Sequence, residues 1–340
     1  MGKSMSMSLN WALGLMVTGA LAIGCAQPAA AQLRPDRMAI VGTDNDGGYP
    51  ATKTYSAVRE RVMKAHLLER LRDFFSPIRL PRTVGVQAAE CEGGPNVAPF
   101  YRSRDRTITV CYQFIALVEK WADRVVAAES SNPKSFPFPV TREEFIWGLI
   151  GGVVLHESGH ALFDVLDVPV FGREEDAADQ FSILIALRLR PQLAEATVKA
   201  YAYFWHMVRD PDAAMKDGNP NTDFADEHGT ASQRLYNGLC LAYGHAPDVF
   251  GKFVSAGWLP AQRAKGCARE YAQLASAFAK TVLPFIDQKR MAEMEKIDWL
   301  SADYRPVQGS PPPPSTAPGR PVAKNTQSPS GRGKTVDAVH

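Results

Sequence analysis

The sequence lacks long apolar runs beyond its first 31 residues, and it lacks an excess of charge of either sign. A membrane-spanning helix needs about 18 or more apolar residues in succession, whereas the longest later run, residues 145–155, ends at His156. The 38 lysines and arginines nearly balance the 36 aspartates and glutamates. We therefore expect no transmembrane segment after residue 31, and nothing in the composition favours nucleic acid or an anionic membrane as a partner.

Cysteine is also scarce, and its spacing excludes the common structural zinc sites. The chain has five cysteines, none of them in a C-x-x-C pair. Four follow the leader, namely Cys91, Cys111, Cys240 and Cys267. An even set in an exported chain favours disulfides. Three pairings are open, and proximity along the chain favours Cys91–Cys111 with Cys240–Cys267.

The N-terminus has the pattern of a secretory signal peptide, residues 1–31. Lys3 precedes an uncharged run, residues 11–24 are mostly apolar, and the alanines at positions 29–31 offer a cleavage site. We expect export to the periplasm or the outside, with Gln32 as the mature N-terminus. The alternative is a lipoprotein anchored at Cys25. It is less favoured because Ala22 stands where such signals usually have leucine.

Composition also predicts where the folded domain ends. Residues 32–304 are numerous enough for one sizeable domain or for two lobes around a cleft. Residues 305–340 are rich in proline, serine and glycine. Such a segment cannot bury enough apolar surface to fold, so we expect a disordered tail.

Residues 156–160 read HESGH, a match to H-E-x-x-H. On a helix, His156 and His160 project from one face one turn apart, so both can bind a single Zn²⁺. Glu157 then lies beside the metal, where it can accept a proton from a water that the metal activates. A chance match is the competing explanation. However, the flanking residues are apolar on nearly every side, and a buried helix must give these polar groups a partner such as a metal.

The sequence also indicates how this helix begins and packs. Thr141 and Glu144 form a capping-box pattern, which predicts the helix start. The glycines at positions 148, 151, 152 and 159 would let a neighbouring backbone approach closely.

A catalytic zinc needs a third protein ligand and an open fourth position. The metzincin spacing is excluded, because Phe163 and Leu166 stand where that class has glycine and histidine. The next helical pattern places Glu175 and Asp179 four apart on one face, which resembles the E-x-x-x-D of the glutamate zincins. That resemblance implies that Glu175 is the third ligand and that Asp179 bonds the other nitrogen of a ligand histidine. Glu174 is the alternative ligand, and an acidic first helical turn explains such residues without a metal.

The remaining patterns predict further helices and two strands. The strand predictions are residues 78–86 and 107–114. In zincins an edge strand beside the metal helix binds the extended substrate, and residues 107–114 are the candidate here. Helical spacing covers residues 54–75, 114–129, 191–209 and 261–286.

Three segments together resemble the bacterial putative metallopeptidase family of exported proteins, whose activity is inferred from H-E-x-x-H. They are residues 90–114, 156–181 and 225–244, and the resemblance spans residues 55–285. More distantly the chain is similar to the CAAX prenyl endopeptidase and HtpX-like gluzincins. Their N-A-F strand corresponds to residues 96–100, with a valine and a proline inserted. Their histidine with an arginine six residues later corresponds to His228 and Arg234, which implies that His228, together with Arg234, hydrogen-bonds the oxyanion.

These observations together predict an α+β fold, mainly helical and zincin-like, with a small sheet packed on the H-E-x-x-H helix. The expected function is peptide-bond hydrolysis with one Zn²⁺ and a peptide or protein as substrate. The CAAX prenyl endopeptidase and HtpX-like relatives are membrane-embedded, whereas we expect no spanning helix here after residue 31, so their prenylated or membrane substrates are not expected. The alternative function is that of a zinc-stabilised binding or scaffold protein of the envelope, without turnover.

Overall fold

The computed structural model describes residues 38–42, 46–188, 191–209, 225–299, 301 and 303–307. The predicted signal peptide, Cys25 and residues 308–340 of the predicted tail lie outside this part of the chain. Within the described residues, no helix combines the length and the apolarity that crossing a membrane requires.

Helices dominate the described chain, and a small sheet accompanies them, so the predicted mainly helical α+β class is confirmed. The longest helix contains the H-E-x-x-H motif. In chain order the helices of seven or more residues are α1 (Ser56–Lys64), α2 (Leu67–Phe75), α3 (Tyr112–Ser131), α4 (Arg142–Leu166), α5 (Glu174–Arg188), α6 (Pro191–Val208), α7 (Ala231–His245), α8 (Cys267–Thr281) and α9 (Gln288–Met294). Shorter helical segments are Pro133–Ser135, Pro247–Phe250, Lys252–Ser255, Ala261–Ala264 and Leu283–Phe285.

Within the part of the chain that the structure describes, the sheet has four strands in the order β1-β2-β4-β3. They are β1 (Met38–Ile40), β2 (Val84–Ala89), β3 (Phe100–Arg102) and β4 (Thr107–Cys111). β1 runs parallel to β2 and β2 parallel to β4, whereas β3 is antiparallel to β4 with Tyr101 opposite Ile108. Every residue of β4 is buried. This is the pattern of a central strand with both faces covered.

The prediction that residues 107–114 form an edge strand was wrong. β4 pairs on both sides, and β3 occupies the edge. β-branched residues in a short run show that a strand is buried, but they carry no information on which strand lies beside it. The resemblance placed a strand at residues 96–100, whereas β3 covers Phe100–Arg102; three residues are too few to display an alternation.

Three other sequence expectations differ from the structure in extent. Residues 54–75 form two helices instead of one, because His66 adopts the left-handed conformation with φ 54° between α1 and α2. The predicted strand at residues 78–86 begins only at Val84, while Ile78 makes an isolated bridge with Ile286. The predicted helix at residues 261–286 is interrupted before Cys267.

Helix α4 lies at the centre of the domain, packed against β3 and β4 and also against α3, α5 and α6. Its start follows the predicted capping box: the Thr141 hydroxyl accepts from the Glu144 amide, and the Glu144 carboxylate accepts from the Thr141 amide. Gly148 faces α6 so closely that an added Cβ would lie 2.4 Å from the Ala196 carbonyl oxygen. Because no side chain fits there, the predicted role of glycine in close packing is confirmed at this position.

The structure pairs the cysteines as chain proximity predicted. Cys91 bonds to Cys111 and ties the end of β2 to the end of β4, with the two Cα atoms 5.5 Å apart. Cys240 bonds to Cys267 and ties α7 to α8. Both cross-links fit an oxidising compartment.

The end of the described chain packs back onto α2. Trp299 and Tyr304 form a small apolar cluster with Met294 and contact Phe74. The Asp73 carboxylate, which is buried, accepts hydrogen bonds from the Tyr304 hydroxyl at 2.6 Å and from the Val307 amide at 2.7 Å. Residues as far as Val307 therefore contact the folded domain.

Candidate metal centre

Helix α4 carries the H-E-x-x-H motif of the site and is buried around it. Between His156 and His160 lies Gly159, where an added Cβ would come within 3.3 Å of the Ala178 Cα in α5. The absence of a side chain at this point lets α5 approach the motif. His156 and Glu157 are both buried, at 7% and 8% exposure.

Helix α5 supplies the third group of the site. The Glu175 Oε2 atom lies 3.0 Å from His156 Nε2 and 3.4 Å from His160 Nε2, and the two nitrogens are 3.2 Å apart. The structure therefore brings together the three residues that the sequence and its resemblance to glutamate zincins nominated as ligands. Among the described residues they form a group in which a metal ion could be held.

The other nitrogen of each motif histidine is also held by a carboxylate of α5. Asp179 Oδ1 lies 2.9 Å from His156 Nδ1, and Glu174 Oε1 lies 2.8 Å from His160 Nδ1. Each carboxylate can accept a hydrogen bond from a protonated Nδ1, and in that tautomer the Nε2 lone pair is free to bind a metal. Glu174, the alternative ligand, thus contacts the far side of His160. Successive residues of a helix point about 100° apart, which separates Glu174 from Glu175.

Glu157 contacts the sheet through its carboxylate. Its Oε2 accepts a hydrogen bond from the backbone amide of Tyr101 at 2.8 Å. Tyr101 belongs to the edge strand β3, and its hydroxyl donates to Asp164, which is two turns further along α4. Burial raises the pKa of Glu157, and the nearby histidines only partly oppose that shift.

His228 approaches Glu175 from the segment before α7. Its Nε2 lies 2.9 Å from Glu175 Oε2, and its Nδ1 lies 3.2 Å from Asp226 Oδ1. The Arg173 guanidinium donates to the His228 carbonyl oxygen at 3.1 Å, which fastens this segment to the start of α5. Glu175, Glu227 and His228 form a second group of potential metal ligands in the described chain.

Arg234 pairs with Asp179 and not with His228. Two guanidinium nitrogens donate to the two Asp179 oxygens at 2.7 and 2.6 Å, and the guanidinium lies 4.2 Å from the centroid of the Trp205 ring. Such a two-pronged pair fixes the orientation of a carboxylate. The structure therefore links Arg234 to His156 through Asp179.

The pKa values of the cluster favour a protonated imidazole beside ionised carboxylates. Burial lowers the pKa of His156, but the hydrogen bonds to Asp179 and Glu175 outweigh it and raise the pKa to about 9. Burial raises the pKa of Glu175, but the three histidines outweigh it and hold the value far below its usual range. For Asp179, Arg234 and His156 outweigh the effect of burial and lower the pKa to about 2.

A family model described as "Putative metallopeptidase" matches residues 49–282, which is more than half of the chain. The chain belongs to this family. No curated protein and no solved structure matches it. Membership in a metallopeptidase family implies a metal ion, and among the described residues His156, His160 and Glu175 could hold one.

The donor atoms fit a tetrahedral ion. With bonds of about 2.0–2.1 Å, neighbouring ligand atoms around Zn²⁺ lie about 3.3 Å apart. The observed separations of 3.0, 3.2 and 3.4 Å among the two Nε2 atoms and Glu175 Oε2 are close to this value. These three atoms converge in a partly buried site, where a proton or a metal cation between them offsets their mutual repulsion.

Sequence reasoning missed several residues that complete this arrangement. Tyr101 contacts Glu157 through its backbone amide, a contact that no side-chain pattern reveals. Asp164 follows Glu157 at a spacing of seven, which does place it on the same helix face. Asp226 and Glu227 precede His228, so an acidic pair beside a histidine was the available signal.

Proposed function

We propose that this chain is a zinc-dependent peptidase in which His156, His160 and Glu175 hold the ion. The observation that carries the proposal is the triangle of donor atoms that these residues form, with a second carboxylate, Glu157, beside it. Zn²⁺ suits two imidazoles and one carboxylate, and this ligand set leaves a fourth position for catalysis. When bound, the ion supplies Lewis acidity, which activates water and polarises a carbonyl group.

In the proposed reaction, Glu157 moves the proton. Its carboxylate accepts a proton from the attacking water and then gives it to the nitrogen of the leaving amine. The Tyr101 amide holds one oxygen of this carboxylate at 2.8 Å, so the group is oriented before the substrate arrives. Burial raises the pKa of this carboxylate and so strengthens it as a base.

His228 is the proposed stabiliser of the oxyanion that forms on the scissile carbonyl. Its Nε2 reaches the ligand Glu175 at 2.9 Å, so a donor is available at the edge of the site. Asp179 and Glu174 orient the two motif histidines, and Arg234 orients Asp179 in turn. These contacts support a glutamate-zincin arrangement, and with it a zincin-like fold.

The proposed setting is outside the cytoplasm, with a peptide or protein as substrate. The family description supports a peptidase, and two disulfides support export. The signal peptide at residues 1–31 is the proposed route, with anchoring at Cys25 as the alternative.

The test is metal analysis of the mature protein with a peptide-library digest, comparing wild type with Glu157→Gln. We expect both proteins to hold one equivalent of tightly bound zinc. We expect Glu157→Gln to cleave about 10²–10⁴-fold more slowly, since general acid–base catalysis contributes about that factor. Glu143→Gln, an exposed position on the same helix, is the matched control and should cleave normally.

Two outcomes would contradict the proposal. Full turnover by Glu157→Gln would remove the proton-transfer role from this residue. Bound zinc in a wild-type protein that cleaves no peptide of the library would favour the zinc-stabilised scaffold instead.

A further inference from the structure

The carboxylate of Glu175 belongs to two groups of potential ligands at once. The first is the group with His156 and His160. In the second, Glu175, Glu227 and His228 each offer one donor atom, and these atoms lie within 4.8 Å of one another. A carboxylate has two oxygens with about four lone-pair positions, so it can bridge two cations.

His228 is oriented as a metal-binding histidine commonly is. Asp226 Oδ1 lies 3.2 Å from Nδ1 of His228 and also accepts a hydrogen bond from the His228 backbone amide at 2.8 Å. The ring is therefore held at its Nδ1 side. The opposite nitrogen, Nε2, then faces Glu175. A carboxylate at one ring nitrogen orients the ring, so that the other nitrogen can coordinate a metal when it carries no proton and can donate a hydrogen bond when it carries one.

The segment that carries His228 is itself fixed to the start of α5. Arg173 donates to the His228 carbonyl oxygen and forms an ion pair with Asp176 at 2.8 Å. His228 and Glu227 are therefore held against the helix that presents Glu175. One imidazole and two carboxylates form a donor set that Zn²⁺ accepts.

We propose that Glu175, Glu227 and His228 form a second divalent-cation site that shares Glu175 with the first. It binds more weakly, for two reasons. The His228 side chain is 31% exposed against 9% for His156, so water competes better for its donors. A cation in the first site also repels a second one nearby.

Occupation of this second site would inhibit the enzyme. The His228 Nε2 atom cannot bind a cation and at the same time donate a hydrogen bond to an oxyanion. This consequence rests on the proposed function, whereas cation binding itself rests on the donor geometry alone.

The test is a titration of metal-stripped mature protein with Zn²⁺ alone, followed by calorimetry and equilibrium dialysis, and repeated with Co²⁺ by visible absorption. We expect wild type to bind two equivalents, the second about tenfold or more weakly than the first. Glu227→Gln and His228→Gln should each bind one. Glu60→Gln, an exposed glutamate of α1, is the matched control and should bind two.

Peptide cleavage in excess Zn²⁺ provides the functional measurement. Wild type and Glu60→Gln should lose activity as the second equivalent binds. In Glu227→Gln, half-inhibition should need about tenfold more Zn²⁺, with each protein compared with its own maximal rate. Saturation of wild type at one equivalent, or two equivalents bound by both Glu227→Gln and His228→Gln, would overturn the second site. Failure to bind even one equivalent would instead reject the proposed function.

Discussion

Carboxylates contact the Nδ1 atoms of the two motif histidines, and these contacts determine how firmly the rings can bind a metal. Asp179 holds His156 and is itself held by Arg234. Glu174 holds His160 from a more exposed position, with 56% of its side chain accessible. Asp179 is therefore the more rigid partner of the two.

Replacement of Asp179 with asparagine should weaken metal binding by about 10–100-fold, the usual cost of losing such a partner. The amide is neutral and supports the imidazole less well as a ligand. The measurement is zinc affinity by competition with a chelator, with the Tm recorded to ensure that the variant is folded. Asp123→Asn, at an exposed ion pair with Arg142, is the control. Equal affinity in Asp179→Asn and wild type would contradict the orienting role.

From the environment of His206 we predict that the folded protein loses stability in acid, independently of the metal. Its ring stacks on Trp258 at 3.7 Å, and burial, together with Arg209, lowers its pKa to about 4. Between about pH 6.5 and 4 the unfolded chain therefore binds a proton that the folded chain does not. The stabilisation is present above pH 6.5 and is lost as the pH falls through this window.

The expected loss in the free energy of unfolding is on the order of 2 kcal/mol. One pKa unit corresponds to about 1.4 kcal/mol, and the full difference between the two pKa values is reduced because the ring is partly exposed to solvent. The measurement is the free energy of unfolding in urea at pH 7 and pH 4.5. His206→Gln should lose less stability over this range than wild type. An identical loss in the two proteins would assign the acid sensitivity to other groups.

Between elements, the edge strand β3 is fastened to helix α4 at two points through one residue. The Tyr101 amide bonds to Glu157, and the Tyr101 hydroxyl bonds to Asp164. The second contact limits the movement of β3 relative to the proposed base. Tyr101 is therefore a positioning residue in the proposed reaction.

Tyr101→Phe should lower kcat by about tenfold and leave zinc affinity unchanged, because the phenol touches no ligand. Asp164→Ala, which removes the acceptor, should have a similar effect, and the double variant should be no slower than either single one, as expected for two partners in one interaction. The measurements are steady-state kinetics and hydrogen exchange of residues 100–102. Additive losses in the double variant would argue against a shared contact.

The sequence predicted the elements that carry strong local signals and missed those that depend on distant partners. The start of α4 followed from Thr141 and Glu144, whose capping contacts are local. The order of β3 and β4 did not, because strand order is decided by packing of the whole sheet. The break at His66 was missed as well, since a left-handed histidine has no distinctive sequence pattern.

For the whole molecule, the end of the described chain is fastened near its beginning. Tyr304→Phe should destabilise the fold by about 1–3 kcal/mol, because the buried Asp73 carboxylate loses a hydroxyl donor. Tyr243→Phe, at a half-buried position in α7, should change stability by less than about 0.5 kcal/mol. The measurement is unfolding in urea. Equal stability of the Tyr304 variant and wild type would show that this contact contributes little.

Some residues of the candidate site were predictable from the sequence alone, and others were not. His156, Glu157 and His160 follow from one five-residue motif whose spacing matches a helical turn. Glu175 and Asp179 required a resemblance, since acidic residues at a helix start are common without a metal. The contact between His228 and Glu175 joins residues 53 positions apart and depends on the packing of α5 against α7. That packing could not be predicted from the sequence alone.

The bond between Cys240 and Cys267 has a practical consequence for anyone who produces this protein. It links α7, the helix that follows His228 and carries Arg234, to the outer helix α8. A thiol-rich bacterial cytosol would yield chains without this link, and so would a storage buffer that contains a reductant. Recombinant material should therefore be secreted or made in an oxidising host, because an inactive reduced batch would say nothing about the chemistry of the native enzyme.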